Sequence, residues 1–193
     1  SNFRVIPRQL FGIRLLMGCE LNILDFEGRV DLPEKVLSRL DYAIASLHPP
    51  CCHPGSAAEN TNAYLGAMKN PYVQIIGHPD DGRYPLNYDA LVEGAATHHK
   101  LLEINSSSLH PDSARIGARE HYLQMLELCA RRGVSVIIGS DAHCEADAAN
   151  HTRALELLRE ARFPEELVVN TDIEKLVPYI PALKDFREDR KQS

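Results

Sequence analysis

Short apolar runs alternate with longer amphipathic stretches along the whole chain, and this alternation limits the folds open to it. Runs at 14–18, 42–46, 73–76, 101–104, 134–138 and 168–170 read as strands. Between them, 33–40, 57–69, 88–98, 117–132 and 145–161 read as helices. Leu123, Leu126 and Ala130 recur at helical spacing, as do Leu155, Leu158 and Ala161. Pro33 suits a first helical turn, and Gly133 stands where a helix would end. Near-continuous apolar strands separated by helices predict an α/β fold with a parallel sheet covered by helices. At 193 residues and 44% hydrophobic, the chain can bury a core as one domain, expected over 1–184, with a charged tail at 185–193.

A parallel sheet presents its chemistry at the C-terminal ends of its strands. The first run leads into Cys19-Glu20, the second delivers His48, and the third delivers Gly77-His78-Pro79. The fourth, with Glu103 inside it, delivers Asn105 and serines 106 to 108, and the fifth delivers Gly139-Ser140-Asp141-Ala142-His143. A lone histidine at a strand end is ordinarily structural. Five successive exits carrying metal-ligand residue types instead predict a metal site, with Glu20, His48, His78, Asp141 and His143 as ligands. Imidazole nitrogens and carboxylate oxygens together suit zinc, with manganese or iron as alternatives. Glu20 has two oxygens with which to bridge ions, Gly77 permits close backbone approach, and Pro79 stiffens the exit. Clustered divalent ions would clamp a phosphate ester and activate a bound water as the nucleophile.

Glu103 and Asn105 share one strand face by alternation and read first as hydrogen-bonding supports for the ligands. Asn105 and Ser106 are also candidate substrate contacts. So are His53, in a loop expected to overhang the site, and Arg115, placed to hold a phosphate. His98 and His99 read as a helix cap, and His121 and His151 as surface residues on helices. Cys51 and Cys52 read as free thiols in a loop.

The net charge of -6 and pI near 5.8, with no basic run, disfavour nucleic acid as a partner. No apolar stretch approaches the roughly 20 residues of a membrane span. Five cysteines without a Cys-x-x-Cys pair argue against a disulfide framework and for a reducing, cytoplasmic setting.

Gly18-Cys19-Glu20, Ser46-Leu47-His48, Gly77-His78-Pro79, Glu103-Ile104-Asn105-Ser106-Ser107 and Gly139-Ser140-Asp141-Ala142-His143, in this order, resemble the PHP (polymerase and histidinol phosphatase) superfamily. The closer likeness is to its stand-alone YcdX-like phosphoesterases. The resemblance implies a distorted (β/α)7 TIM-like barrel and a trinuclear zinc or manganese site that hydrolyses small phosphomonoesters with a metal-activated hydroxide. It also implies that Glu20 bridges two ions, that His48 and His78 complete the second, and that Asp141 and His143 serve the first and third. The family opens with a His-x-His strand and an Asp-His strand. This sequence has neither, and its first histidine is His48, so the likeness runs from the family's third strand onward.

Two expectations follow. In one, the sequence is the larger portion of an enzyme whose N-terminal segment lies outside it, so that the isolated chain is weakly active or inactive. In the other, it is a shortened relative that acts as a metal- or phosphate-binding module. A small phosphorylated substrate is expected in either case. Exposed strand edges predict a homo-oligomer or association with the N-terminal segment.

Overall fold

The structure is a computed structural model and describes residues 6–184; the tail expected at 185–193 lies outside them. A small antiparallel hairpin, β1 (Gln9–Leu10) and β2 (Ile13–Arg14), comes first. Five strands then form a parallel sheet in chain order: β3 (Gly18–Asn22), β4 (Tyr42–Ser46), β5 (Ile75–Ile76), β6 (Leu101–Asn105) and β7 (Val136–Gly139). The connections carry α1 (Glu34–Leu37), α2 (Ala57–Met68), α3 (Tyr88–His98) and α4 (Ala118–Arg132), and after β7 come α5 (Thr152–Glu160) and α6 (Ile173–Leu176).

Register explains which side chains meet. One rung runs Leu21–Ala45–Ile76–Leu102–Val136 across all five strands, and every member is fully buried. These residues share the main core with Tyr64 of α2, Leu91 of α3, Met125 of α4 and Leu157 of α5. The four longer helices therefore cover this face. Burial of each Leu, Ile, Val or Met side chain among them is worth about 1.5–3 kcal/mol. On the opposite face Glu20, Ile44, Ile75 and Leu101 lie in register, as do Glu103 with Ile137 and Asn105 with Gly139. The N-terminal half of that face is apolar, and Val169, Leu176 and Tyr179 pack against it. Its C-terminal half is polar and holds the candidate site.

Three sequence expectations are corrected. The first strand lies at Gly18–Asn22 rather than 14–18, because Leu21 and Ile23 must reach the helical core while Glu20 and Asn22 alternate onto the other face. The run at 168–170 is not a strand. Val168 makes a single parallel bridge to Val136, and the chain then turns through a 3-10 helix at Val169–Thr171. The Asn170 side chain stands in for the missing peptide. It accepts from Ile138 N–H at 2.7 Å and donates to Ile138 C=O at 3.0 Å. The helix expected over 145–161 breaks into a 3-10 turn, Glu145–Asp147, and α5.

Other expectations hold more closely. Helix α2 begins in a capping box between Ser56 and Glu59, and α4 ends at Gly133. Among the described residues no helix is long and apolar enough to cross a membrane.

Candidate metal centre

Three of the five expected ligands converge. His78 Nε2 lies 2.9 Å from Glu20 Oε1 and 3.2 Å from His48 Nε2, and His48 Nε2 lies 3.4 Å from the same Glu20 oxygen. Among the described residues, these three form a group whose ligand atoms all lie within 4.8 Å of one another. A four-coordinate ion with ligands at about 2.0–2.2 Å spaces its donors by roughly 3.3–3.6 Å. The triangle is slightly tighter than that and would need only a small opening to fit. Two imidazoles and a carboxylate also suit zinc, manganese or iron chemically.

Each vertex is placed by its strand. Glu20 lies within β3 rather than beyond its end, on the face away from the helices. Burial opposes ionisation of its carboxyl, but the imidazoles of His48 and His78 beside it outweigh that and hold the pKa far below the usual carboxylate range. The group is therefore an anion ready to meet a cation. His48 leaves β4 two residues after Ser46 and is half-buried. Its Nδ1 lies 2.8 Å from Asn22 Oδ1.

His78 is 4% exposed, and its Nδ1 is buried without a hydrogen-bond partner. Its φ of +30° is a conformation that costs free energy and persists only when the surroundings enforce it. They do so through several bonds. Glu103 accepts the His78 N–H at 2.8 Å. Tyr88 donates to Pro79 C=O at 2.7 Å, and His121 Nδ1 donates to Asp80 C=O at 2.7 Å. His121 is thus part of the packing behind the site rather than the surface residue expected from its helix. Glu103 has the supporting place foreseen for it. Burial raises its pKa, and the charge and backbone N–H of His78 work against that rise. A Cβ at Gly139 would collide with the Glu103 carboxylate, so that glycine makes room for the support.

The other two expected ligands stand apart. Asp141 has a φ of +53° and faces Arg115, with Nη2 3.4 Å from Oδ2. The His143 side chain is 87% exposed, and its Nδ1 donates to the Asp141 carbonyl at 2.9 Å. Of the expected substrate contacts, Asn105 is buried and accepts from Ser108 N–H at 3.1 Å, which shapes the serine loop. His53 is exposed. Ser106 opens onto a polar cleft of about 190 Å³ shared with Ser107, Ser140, Asp141 and Arg153. Arg115 donates to Ser108 Oγ at 2.8 Å, which in turn lies 3.3 Å from buried Asp80.

Asp80, Asn22 and Asp31 escaped the sequence reading. Asp80 follows His78-Pro79 directly, and Asn22 shares a strand face with Glu20, so both left a signal. Beneath the metal triangle, an apolar cavity of about 370 Å³ is lined by Tyr42, Ile44, Ile75, Ile137 and Ile180, with Glu103 also on its wall.

An open parallel sheet with carboxylate and imidazole groups gathered at one end defines an α/β protein with a candidate metal-binding face. Comparison with known proteins adds its kin. The chain is 43% identical over 188 residues to a probable phosphatase of Clostridium novyi, covering 96% of this chain and 76% of that protein. A probable phosphatase of Caldicellulosiruptor saccharolyticus is 42% identical over 93% of this chain and 74% of its own length. One from Clostridium botulinum is 40% identical over 98% and 78%. The chain belongs to this family of probable phosphatases. No family model matches it. A crystal structure of histidinol phosphate phosphatase from Lactococcus lactis, with zinc, L-histidinol and phosphate, overlaps 69% of this chain and 64% of that one. It does so at 18% identity and a TM-score of 0.46, a likeness too slight to carry weight.

Proposed function

We propose that this chain is a metal-dependent phosphomonoesterase of the PHP superfamily, and that its sheet is a sector of that family's barrel. The observation that carries the reading is the convergence of Glu20, His48 and His78, which leave three neighbouring strands and meet within 3.4 Å. Sequential parallel strands with the longer helices on one face support the barrel sector, since a doubly wound sheet reverses its strand order.

Zinc, manganese or iron, when bound, supplies positive charge against phosphoryl oxygens and acidifies water. The chain's own residues do the rest. Glu20 brings a fixed negative charge, and His48 and His78 bring neutral nitrogens. Glu103 holds the His78 backbone in place, and Arg115 at the far rim offers a guanidinium to a phosphate. Asp141 and His143 are proposed as ligands of further ions that would draw them inward. Because the His-x-His and Asp-His motifs of the PHP family are not in this sequence, turnover by this chain alone should be slow.

The test begins with protein stripped by a chelator, then titrated with zinc or manganese while hydrolysis of p-nitrophenyl phosphate is followed. One ion should bind tightly and slow hydrolysis should appear with it, both lost in His78→Ala. Binding that survives His78→Ala would sink the site. Hydrolysis that is indifferent to the chelator would sink the metal dependence. Tight binding with no hydrolysis under any metal would leave a binding module in place of the enzyme.

A further inference from the structure

We infer that Asp31 and Asn22 act as a positioning pair that fixes the tautomer of His48, holding its Nε2 unprotonated toward Glu20 and His78. Asn22 is gripped at four points. Its backbone N–H donates to Asp31 Oδ1 at 3.1 Å, and its side-chain Nδ2 donates to Asp31 Oδ2 at 2.6 Å. Its carbonyl accepts from Asp31 N–H at 3.2 Å. Its Oδ1 lies 2.8 Å from His48 Nδ1.

The direction of these bonds follows from chemistry. An ionised aspartate only accepts hydrogen bonds, so the amide of Asn22 must turn its NH2 toward Asp31 and its oxygen toward His48. That oxygen only accepts, so His48 must carry its proton on Nδ1. A neutral imidazole has one ring proton, and Nε2 is left with its lone pair pointed at the other two ligand atoms. Were the amide reversed, its NH2 would face Nδ1, the proton would move to Nε2, and His48 could not ligate there. A carboxylate two bonds removed from the ring thus decides whether the ring is a ligand.

The fold takes pains to bring Asp31 back. After β3 the chain reverses, with Asp25 Oδ1 accepting the N–H groups of Glu27 and Arg29. An antiparallel bridge pairs Ile23 with Val30. Gly28, at φ +81°, presses so close to α2 that a Cβ would run into the backbone of Gly66 and Ala67. The turn is therefore docked on a helix, and Asp31 emerges opposite Asn22.

This inference rests on the metal reading above, and the experiment separates the two. In metal-free protein at about pH 8, where an ordinary imidazole is neutral, long-range 1H–15N correlation should show His48 as the Nδ1–H tautomer. Asp31→Asn lets the amide of Asn22 turn either way. It should mix the tautomers and weaken zinc binding by roughly 10–100-fold in a chelator competition. The exchange Asn22→Asp with Asp31→Asn restores an acceptor facing His48 and a donor behind it. It should recover the Nδ1–H form and most of the affinity, which separates positioning from mere folding. A wild-type ring protonated on Nε2, or an exchange variant no better than Asp31→Asn alone, overturns the inference. Should wild-type protein bind no zinc, the metal reading falls, while the tautomer still decides the role of Asn22.

Discussion

The two flanks of the sheet make a useful contrast. At the β3–β4–β5 flank, three candidate ligands touch and their backbones are tied down. Asn22 and Asp31 hold His48, while Glu103, Tyr88 and His121 hold the strand exit that bears His78. At the β7 flank, Asp141 and His143 sit two residues apart with the same ligand chemistry. Yet one is committed to Arg115 and the other points to solvent. The two flanks therefore differ in how firmly their ligand-type side chains are held, not in residue type. What distinguishes the first flank is a layer of hydrogen bonds behind the three candidate ligands, formed by residues outside the triangle.

Predictions follow from breaking that contrast. The largest effect should come from the ligands themselves. Glu20→Ala should weaken first-ion affinity by more than the roughly 100-fold that supporting residues command, whereas His143→Ala should leave it nearly unchanged. Equal losses in calorimetric titration would erase the distinction between the flanks. Next comes Gly139→Ala, whose new methyl must displace Glu103. It is expected to cost about 1–3 kcal/mol in urea denaturation, the usual penalty for overpacking. A negligible cost would mean that the Glu103 carboxylate has room to move aside. Arg115→Gln should cost only about 1 kcal/mol and leave first-ion affinity within about twofold, because its partly buried pair with Asp141 is long and the flanks are independent. A tenfold drop in affinity would instead join the flanks into one site.

The smallest effect is a pH slope. The folded pKa of Glu103 is raised by burial, so the unfolded chain releases its proton first as pH rises. Stability of the metal-free protein should then fall from about pH 4.3, the ordinary glutamate value, up to the raised folded value, and level off beyond it. Glu103→Gln keeps an oxygen for the His78 N–H and should lose this part of the slope. Identical slopes in denaturation across that range would remove Glu103 from the account.

Much of this was legible in the chain, for physical reasons that can be named. Strand-helix alternation carried the α/β fold because apolar strands buried beneath helices leave few other patterns. Glu20, His48 and His78 were legible because they sit at or just beyond strand segments, where direction is set by alternation. The same alternation could have found Asn22, two residues from Glu20. Asp31 had no such signal. Its place depends on a turn closed by Asp25 and docked through Gly28 on α2, a contact between segments nearly forty residues apart. The separation of Asp141 and His143 was equally hidden, because the positive φ at Asp141 and its pairing with Arg115 are tertiary facts. The mistaken strand at 168–170 shows the converse. Its Val-Val pair has a strand's composition, but a side-chain amide supplies the bonds that a strand would have made.

That amide has a consequence for how copies of this molecule meet. By taking both the N–H and the C=O of Ile138, Asn170 occupies the two backbone groups that a foreign strand would seek first on the β7 border. With the bridge from Val168 to Val136 beside it, this amide leaves the β7 border few free backbone groups to which another strand could add.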